Sequence, residues 1–345
     1  MSRRLKFALW GTVGLVVLAG FWALWLNLRF HVPFRPNSET RIVEFRRGTS
    51  LRGISAKLEA RGFIQARHLF TVLAWLRNRT RGLQAGEYRL SASMSPAEIL
   101  DVLARGAVVQ HTLTIPEGYN VREIAMAAER AGVSPAKAIM AVSTDPAFLK
   151  RFGIQAKSAE GYLFPETYLF PRNSPPGKIL GRMAGTFRKR FTAAMVRRAE
   201  ALNLAIHQVV TLASIIERES AVNAEKPLIS AVFHNRLRRR MRLQADPTVL
   251  YALNRTAGPL TKEELKVASP YNTYRIKGLP PGPIANPGLA SLRAALNPGP
   301  VDYLYFVARG DGSHDFSRTL KDHVAAVRRY RKDTAGFPRA SGKTR

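Results

Sequence analysis

The stretch Thr211-Leu-Ala-Ser-Ile-Ile-Glu-Arg-Glu-Ser220 decides how the rest of the chain is interpreted. It predicts a mostly apolar helix from about residue 204 to residue 220, whose apolar face is centred near Val209, Leu212 and Ile216. Glu217 and Glu219 flank that face on opposite sides, because two residues of α-helix turn through about 200°. The two carboxylates therefore cannot both point into one cleft. Periodicity alone leaves open whether either is a catalytic acid or a salt-bridge partner of an arginine.

Acidic residues are scarce in this chain. It contains 54 Lys and Arg against 24 Asp and Glu in 345 residues, a formal net charge of +30, and no cysteine. The lack of cysteine excludes disulfides and thiolate metal sites. Nucleic acid, anionic lipid and acidic polymers all attract so basic a protein. We predict no nucleic-acid partner, because no basic stripe is interleaved with stacking aromatics and no nucleic-acid-binding module is apparent.

The N-terminus predicts a membrane anchor. Phe7 to Leu26 form a run of 20 residues without a charge, which is long enough to span the hydrocarbon core as a helix. The cations before it, Arg3, Arg4 and Lys6, favour a cytoplasmic N-terminus, and the two arginines that follow weaken this asymmetry without reversing it. A cleaved signal peptide is the alternative, but no small-residue cleavage site follows the run. Residues 1–6 are then cytoplasmic, residues 7–26 span the membrane, and the chain after Asn27 is extracytoplasmic.

Beyond a linker over residues 27–40, the pattern predicts an α+β protein in two parts. The first, residues 41–108, is a small unit with strands at 41–49 and 86–90 and helices near 51–58, 66–77 and after Ser95. The second, residues 109–330, is a larger mixed α+β domain. Its predicted elements are a strand at 108–115, helices at 135–150, 176–202, 226–241 and 319–331, and a buried strand at 303–308. Asp311-Gly312 predicts a hairpin, and the basic tail 331–345 is expected to be disordered.

Most catalytic chemistries have no sequence signal here. The seven histidines are scattered without paired ligand spacing, so we predict no metal. Nucleophile elbows, phosphate-binding loops and dinucleotide fingerprints are missing from the sequence as well, so we predict no cofactor. The functions that remain are acid–base catalysis without a cofactor and binding without catalysis.

Two further segments add the groups that a sugar site needs. Residues 235–248 carry Asn235, Gln244 and Asp246, and residues 269–274 carry Tyr271 and Asn272 beside the proline-rich loop Gly278–Gly288. Amides bind hydroxyl groups and tyrosines offer stacking faces to sugar rings. Each segment taken alone also fits a turn or a helix cap.

The chain resembles the endolytic murein transglycosylase family, also called YceG-like. The resemblance runs in order from about residue 40 to 330, and the single N-terminal span fits it. It rests on segments 160–168 (EGYLFPETY), 212–220 (LASIIERES), 242–249 (RLQADPTV), 271–274 (YNTY), 278–282 (GLPPG) and 303–307 (YLYFV). It implies that residues 41–108 form a LysM-like subdomain and that residues 109–330 form the catalytic domain.

The resemblance also implies a catalytic residue and a reaction. The first glutamate of the family's motif corresponds to Glu217, which would act as the single general acid and base. It would cleave the bond between N-acetylmuramic acid and N-acetylglucosamine and leave 1,6-anhydro ends. On this assignment Glu219→Gln keeps most of the activity. The candidate substrate contacts are Asn235, Gln244, Asp246, Tyr271 and Asn272, with Glu160 and Glu166 as weaker candidates.

We therefore expect a single-pass inner-membrane enzyme that cuts nascent peptidoglycan and ends glycan elongation. The family suggests peptidoglycan synthases as partners. One alternative is a membrane-anchored binding or division-scaffold protein with a structural Glu217. The other is a muramidase that adds water, with Asp246 or Glu166 as its second acid.

Overall fold

The structure is a computed structural model that describes residues 3–220 and 222–334. It divides into two compact units, Met1–His111 and Thr112–Arg345. Helices dominate, and the described strands form three two-stranded sheets, β1–β2, β3–β4 and β5–β6. The predicted α+β class is confirmed. The assignment of a LysM-like role to the first part and catalysis to the second stays a prediction.

The first unit packs three short helices and one sheet around a single core. Its elements are α1 (Arg3–His31), β1 (Thr40–Phe45), α2 (Leu51–Ala60), α3 (Arg67–Leu76), β2 (Gly86–Ser91) and α4 (Pro96–Arg105). The two strands pair antiparallel, with Thr40 opposite Ser91 and Phe45 opposite Gly86. As its sequence predicts, α4 begins with a capping box, in which Ser95 and Glu98 each accept a hydrogen bond from the other's backbone N–H.

Helix α1 contains the predicted membrane span. Its segment Trp10–His31 has 22 residues with a mean hydropathy of 1.7, long and apolar enough to cross a membrane, and other described residues bury none of its most apolar part. Phe30, near its end, is buried in the core of the first unit. The last turn of α1 is therefore anchored in the folded unit, whereas its apolar body is uncovered.

The second unit is a helical assembly with two small sheets. Its strands are β3 (His111–Thr114), β4 (Thr167–Phe170), β5 (Tyr305–Ala308) and β6 (His314–Ser317). Its helices are α5 (Val121–Arg130), α6 (Ala136–Ser143), α7 (Pro146–Phe152), α8 (Pro176–Arg190), α9 (Ala193–Ala201), α10 (Ile206–Glu219), α11 (Lys226–Arg238), α12 (Asp246–Ala252), α13 (Leu289–Leu296) and α14 (Leu320–Thr334). A 3₁₀ turn covers Glu264–Lys266.

Two helices predicted as continuous are each broken in the structure. The segment 135–150 divides into α6 and α7, because Asp145 caps a new helix by accepting from Ala147 N and Pro146 occupies its first position. The segment 176–202 divides into α8 and α9, because Thr192 accepts from Met195 N and starts a second helix. The two predictions were wrong because Asp145 and Thr192 were not identified as residues that start new helices.

The end of the chain departs from its prediction in one respect. The predicted hairpin at Asp311–Gly312 is confirmed, with Tyr305 opposite Ser317 and Ala308 opposite His314. The strand before it is not buried as predicted, because Tyr305–Ala308 pairs only with β6 and stays partly exposed. Of the predicted tail 331–345, residues 331–334 continue α14 and the remainder lies outside the described residues.

The proline-rich loop Gly278–Gly288 forms neither helix nor strand, as predicted, and it packs onto α10. Ile284 N donates to the Ser214 hydroxyl at 3.0 Å. Gly161 adopts φ +85°, and a Cβ there would lie 2.5 Å from Pro283 Cγ and 2.7 Å from Val210 Cγ1. Only glycine permits this close approach of segment 160–164, the loop and the helix. The loop is thereby fixed beside the end of α10.

Candidate active site

Helix α10 positions the two glutamates of the motif. All residues from Val209 to Ile216 are buried, and the helix packs against α11 and α13. It ends at Glu219, because Ser220 turns to extended geometry (φ −138°, ψ 131°) while its N–H still donates to Ile216 O. Glu217 and Glu219 therefore occupy the last turn of a rigid helix. Their surroundings differ completely.

Glu217 takes part in a buried ion pair. Its Oε1 lies 2.9 Å from Nζ of Lys226, the first residue of α11, and the exposed fractions of the two side chains are 6% and 2%. Its Oε2 accepts a hydrogen bond of 2.8 Å from Gly288 N, the N-cap residue of α13. Both carboxylate oxygens are thus engaged, and the side chain joins three helices.

Glu117 extends this cluster toward solvent. Its Oε2 lies 3.9 Å from Lys226 Nζ, and its side chain is 49% exposed. Burial and the charge of Glu217 raise the pKa of Glu117, and Lys226 opposes the rise. A Cβ on Gly288 would lie 1.8 Å from Glu117 Oε1, so the Glu117 carboxylate rests directly on the backbone of the glycine.

Glu219, by contrast, lies at the partly exposed end of the helix. Within the described residues, no group donates a hydrogen bond to its carboxyl and no cation forms an ion pair with it. Burial, and then the negative charge of Asp246, raise the pKa of Glu219 to about 8, while Arg236 lowers it. This environment favours the protonated, uncharged form of the Glu219 carboxyl.

The groups around Glu219 are held in place by other parts of the second unit. Asp246, at the start of α12, accepts a hydrogen bond of 2.5 Å from the Tyr274 hydroxyl. Arg236 is buried and donates from Nε to Leu304 O at 2.7 Å and from Nη1 to Leu243 O at 2.6 Å. Its guanidinium lies over the Tyr305 ring. Asp246 and Arg236 are thus both held in place, and their charges act on Glu219 in opposite directions.

Glu160 occupies a separate buried position. Its oxygens accept from Val121 N at 3.1 Å and Asn286 Nδ2 at 3.0 Å, and the Tyr251 hydroxyl lies at 3.4 Å. Burial raises the pKa of Glu160 to about 8, although these hydrogen bonds favour the charged form. Because it joins the start of α5 to the proline-rich loop, its observed contacts are structural.

The amides of two other candidates serve the fold. Asn235 Nδ2 donates to Val301 O at 3.0 Å and to Tyr303 O at 2.8 Å. Asn272 is buried, and its Nδ2 donates to Leu265 O and Val267 O at 2.9 Å each. Buried amides with both donors satisfied have none left for a sugar hydroxyl. Their observed contacts anchor loops, and their assignment as sugar contacts stays a prediction.

The remaining candidates differ in exposure. Gln244 is exposed and has a positive φ of 50°, and Tyr271 is partly buried with its ring 5.0 Å from that of Tyr251. Glu166 lies at the surface, 3.3 Å from Arg190 Nη2.

The sequence analysis did not identify Lys226, Arg236 or Tyr274 as site residues. No local sequence pattern links any of them to Glu217 or Glu219. In the described residues no group of three His, Asp or Glu side chains could hold a metal ion.

Comparison with known proteins assigns the family. The sequence profile of the YceG-like family matches residues 43–329. The chain therefore belongs to the YceG-like family.

Two named relatives and one solved structure are similar to it. The chain is 33% identical over 320 residues to the endolytic murein transglycosylase of Bacillus subtilis (strain 168), with 86% of this chain and 87% of that protein covered. It is 30% identical over 352 residues to the endolytic murein transglycosylase of Streptococcus pneumoniae (strain D39), covering 90% of this chain but only 64% of that longer protein. A crystal structure of a YceG-like protein from Listeria monocytogenes is 35% identical, covers 84% of this chain and 100% of its own, and superposes with a TM-score of 0.59.

Proposed function

We propose that the chain is a membrane-anchored lytic transglycosylase that cleaves peptidoglycan glycan strands, and that Glu219 is its general acid. The family and the names of its relatives support the substrate. The observation that carries the catalytic proposal is the Glu219 carboxyl, which is partly exposed, has no ion-pair partner among the described residues, and has a pKa raised to about 8. A carboxyl with these properties is protonated where the reaction needs a proton donor.

Glu217, the residue that the resemblance indicates, is less suited to this task. Its carboxylate is buried between Lys226 Nζ and Gly288 N, so the two charged or polar partners already occupy both oxygens. It is also the closest counter-charge of the buried Lys226 ammonium. We infer that Glu217 fixes the end of α10 and thereby the orientation of Glu219. The assignment of Glu217 as the general acid stays a prediction. A comparison of the activities of Glu217 and Glu219 variants tests it against the Glu219 assignment.

The reaction needs only one acid. Glu219 would donate its proton to the glycosidic oxygen as the bond from that oxygen to C1 of N-acetylmuramic acid breaks. The C6 hydroxyl oxygen of the same sugar would then bond to C1, and its proton would return to the Glu219 carboxylate. The products are a free 4-hydroxyl on N-acetylglucosamine and a 1,6-anhydro end, and no water is consumed. Burial, and then the Asp246 charge, would keep the proton on Glu219 before the reaction, and Arg236 would stabilise the carboxylate during it.

One observation favours a second candidate, the muramidase that adds water. Asp246 is a second carboxylate whose charge acts on Glu219, and inverting or retaining glycosidases use such a pair. In the transglycosylase, Asp246 needs only to orient groups through Tyr274, which donates to it at 2.5 Å.

Gln244 and Tyr271, which retain free polar or aromatic surface, are the proposed sugar contacts.

The products of the purified protein decide between these functions. The full chain in mild detergent is incubated with un-crosslinked glycan strands, and the fragments are analysed by mass spectrometry. The proposal predicts internal cleavage with anhydro ends. Reducing ends would establish the water-adding muramidase, and intact strands would leave binding or scaffolding as the function.

The cellular part of the proposal follows from α1. We propose a single-pass inner-membrane protein whose N-terminus is cytoplasmic and whose second unit meets nascent strands beside the synthases that polymerise them. Internal cuts in such strands would end their elongation. A periplasmic reporter fused after residue 345 should be active, and a cytoplasmic location of that end would contradict the orientation.

A further inference from the structure

Helix α3 of the first unit is apolar on two faces. One face, with Phe70, Leu73 and Ala74, is buried in the core of the unit. On the surface, however, Val72 is 41%, Trp75 71% and Leu76 56% exposed. Contiguous apolar patches on a protein surface, unlike scattered single residues, mark interaction or membrane-contact sites when they are large.

The flanks of this surface are positively charged. Residues 60–86 contain five arginines and neither Asp nor Glu. Arg77 lies 3.4 Å from Asp101, whereas Arg79 and Arg81, directly after the helix, form no ion pair with any described residue. An apolar helix face bordered by unpaired cations is typical of helices that lie in the interface of an anionic membrane.

Contacts with α1 fix where α3 lies relative to the candidate membrane span. Gln65, just before α3, accepts from Arg29 at 2.5 Å, and Arg77, just after α3, contacts His31 Nε2 at 3.1 Å. Gln65 and Arg77, which border α3, are twelve residues apart in sequence, but their partners in α1 are only two residues apart. Helix α3 therefore crosses the last turn of α1 instead of running along it.

The depth follows from helix geometry. If the apolar run ends at Leu26, His31 lies about 7.5 Å further along the α1 axis. The headgroup region of one leaflet is roughly 5–8 Å thick. A helix that crosses α1 at His31 is then at headgroup level. Tryptophan favours this depth.

We propose that the exposed face of α3, formed by Val72, Trp75 and Leu76, docks onto the anionic lipid leaflet from which α1 emerges. This inference rests on the proposed role of α1 as a membrane anchor. The cations that border the face select a negatively charged lipid surface. They also disfavour a second copy of this chain, because a two-fold contact would bring the same arginines together. Docking would hold the first unit flat on the membrane.

Tryptophan quenching tests the proposal on the full chain, which has four tryptophans. Trp75 is left as the single reporter by the substitutions Trp10→Phe, Trp22→Phe and Trp25→Phe. The protein is reconstituted into vesicles that contain phosphatidylglycerol with brominated acyl chains. We expect Trp75 to be blue-shifted and strongly quenched, and less so in zwitterionic phosphatidylcholine vesicles. Arg79→Gln and Arg81→Gln should each shift the ratio of docked to undocked Trp75 by about fivefold toward the undocked state.

Two controls make the result decisive. Arg46→Gln removes the same charge at the exposed β1–α2 turn and should leave the quenching of Trp75 unchanged. A second reporter that retains only Trp22 measures the anchor itself. Quenched Trp22 with unquenched, water-like Trp75 overturns the inference and leaves the anchor intact. Loss of quenching at both positions contradicts the anchor as well. A blue shift that depends on protein concentration and not on lipid would assign the face to a second copy, which also overturns the inference.

Discussion

Substitution of Glu217 by glutamine should destabilise the second unit through the charge left on Lys226. In the native protein Lys226 Nζ is 2.9 Å from Glu217 and its side chain is 2% exposed. Glutamine has nearly the same shape, so no cavity forms. However, its amide nitrogen must face either the Lys226 ammonium or Gly288 N, and both are donors. The substitution therefore leaves a buried cation without its closest counter-charge.

The expected magnitude comes from buried ion pairs in general. Removing one partner costs about 3–5 kcal/mol, chiefly because the other charge stays buried. Glu117 at 3.9 Å supplies a second, half-exposed carboxylate, so we expect the lower end of that range. For a unit of this size, about 3 kcal/mol lowers the melting temperature by roughly 6–12 °C.

Thermal denaturation of matched variants measures this effect. Glu217→Gln should show the full loss, whereas Glu217→Gln with Lys226→Met should recover most of it, because the unpaired charge is gone. Glu117→Gln, which removes only the distant carboxylate, should change the melting temperature by a few degrees at most. A single Glu217→Gln variant as stable as wild type would refute the account of Glu217 as an ion-pair residue.

Three further predictions concern Glu219 and its surroundings. First, activity should fall as pH rises through about 8, the raised pKa of Glu219, because only the protonated acid donates. A rate that still increases with pH above 8 would contradict Glu219 as the general acid. Second, the raised pKa of Glu219 stabilises the folded protein fully below the pKa of an unfolded glutamate, and this stabilisation is lost as pH rises through the folded-state pKa. The melting temperature of Glu219→Gln should therefore rise relative to that of wild type as the pH increases from about 4 to about 9. Third, Gly161→Ala should cost more than about 2 kcal/mol, because φ is +85° and Pro283 lies 2.5 Å from the new Cβ, whereas Gly185→Ala, within α8 and without neighbours within 4 Å, should be neutral or stabilising in chemical denaturation.

The sequence predicted the parts of the fold that local chemistry controls. The apolar period of α10, the helix start at Ser95 and the proline-rich loop appear where the local pattern predicts them. The breaks between α6 and α7 and between α8 and α9 were missed, because a capping residue inside an apolar pattern is a weaker signal than the period around it.

The site was predicted in composition but not in its contacts. Helical geometry showed that Glu217 and Glu219 face different surroundings, yet the choice between them depends on Lys226, Gly288, Asp246 and Arg236. These residues reach α10 only through tertiary packing, and a single sequence does not encode such pairings in a local pattern. Likewise, Asn235 and Asn272 have the side chains of sugar ligands, but their amides are used by backbone carbonyls.

One measurement tests the central claim most directly: the rate at which anhydro ends form with Glu219→Gln compared with Glu217→Gln plus Lys226→Met. Both proteins should first be shown to melt cooperatively. We predict that Glu219→Gln loses about 10²–10⁴-fold in rate, as expected for removal of a general acid. The double variant should stay within about tenfold of wild type, because the carboxyl that it lacks only positions the helix. An active Glu219→Gln protein beside a folded but inactive double variant would contradict the account and return the catalytic role to Glu217.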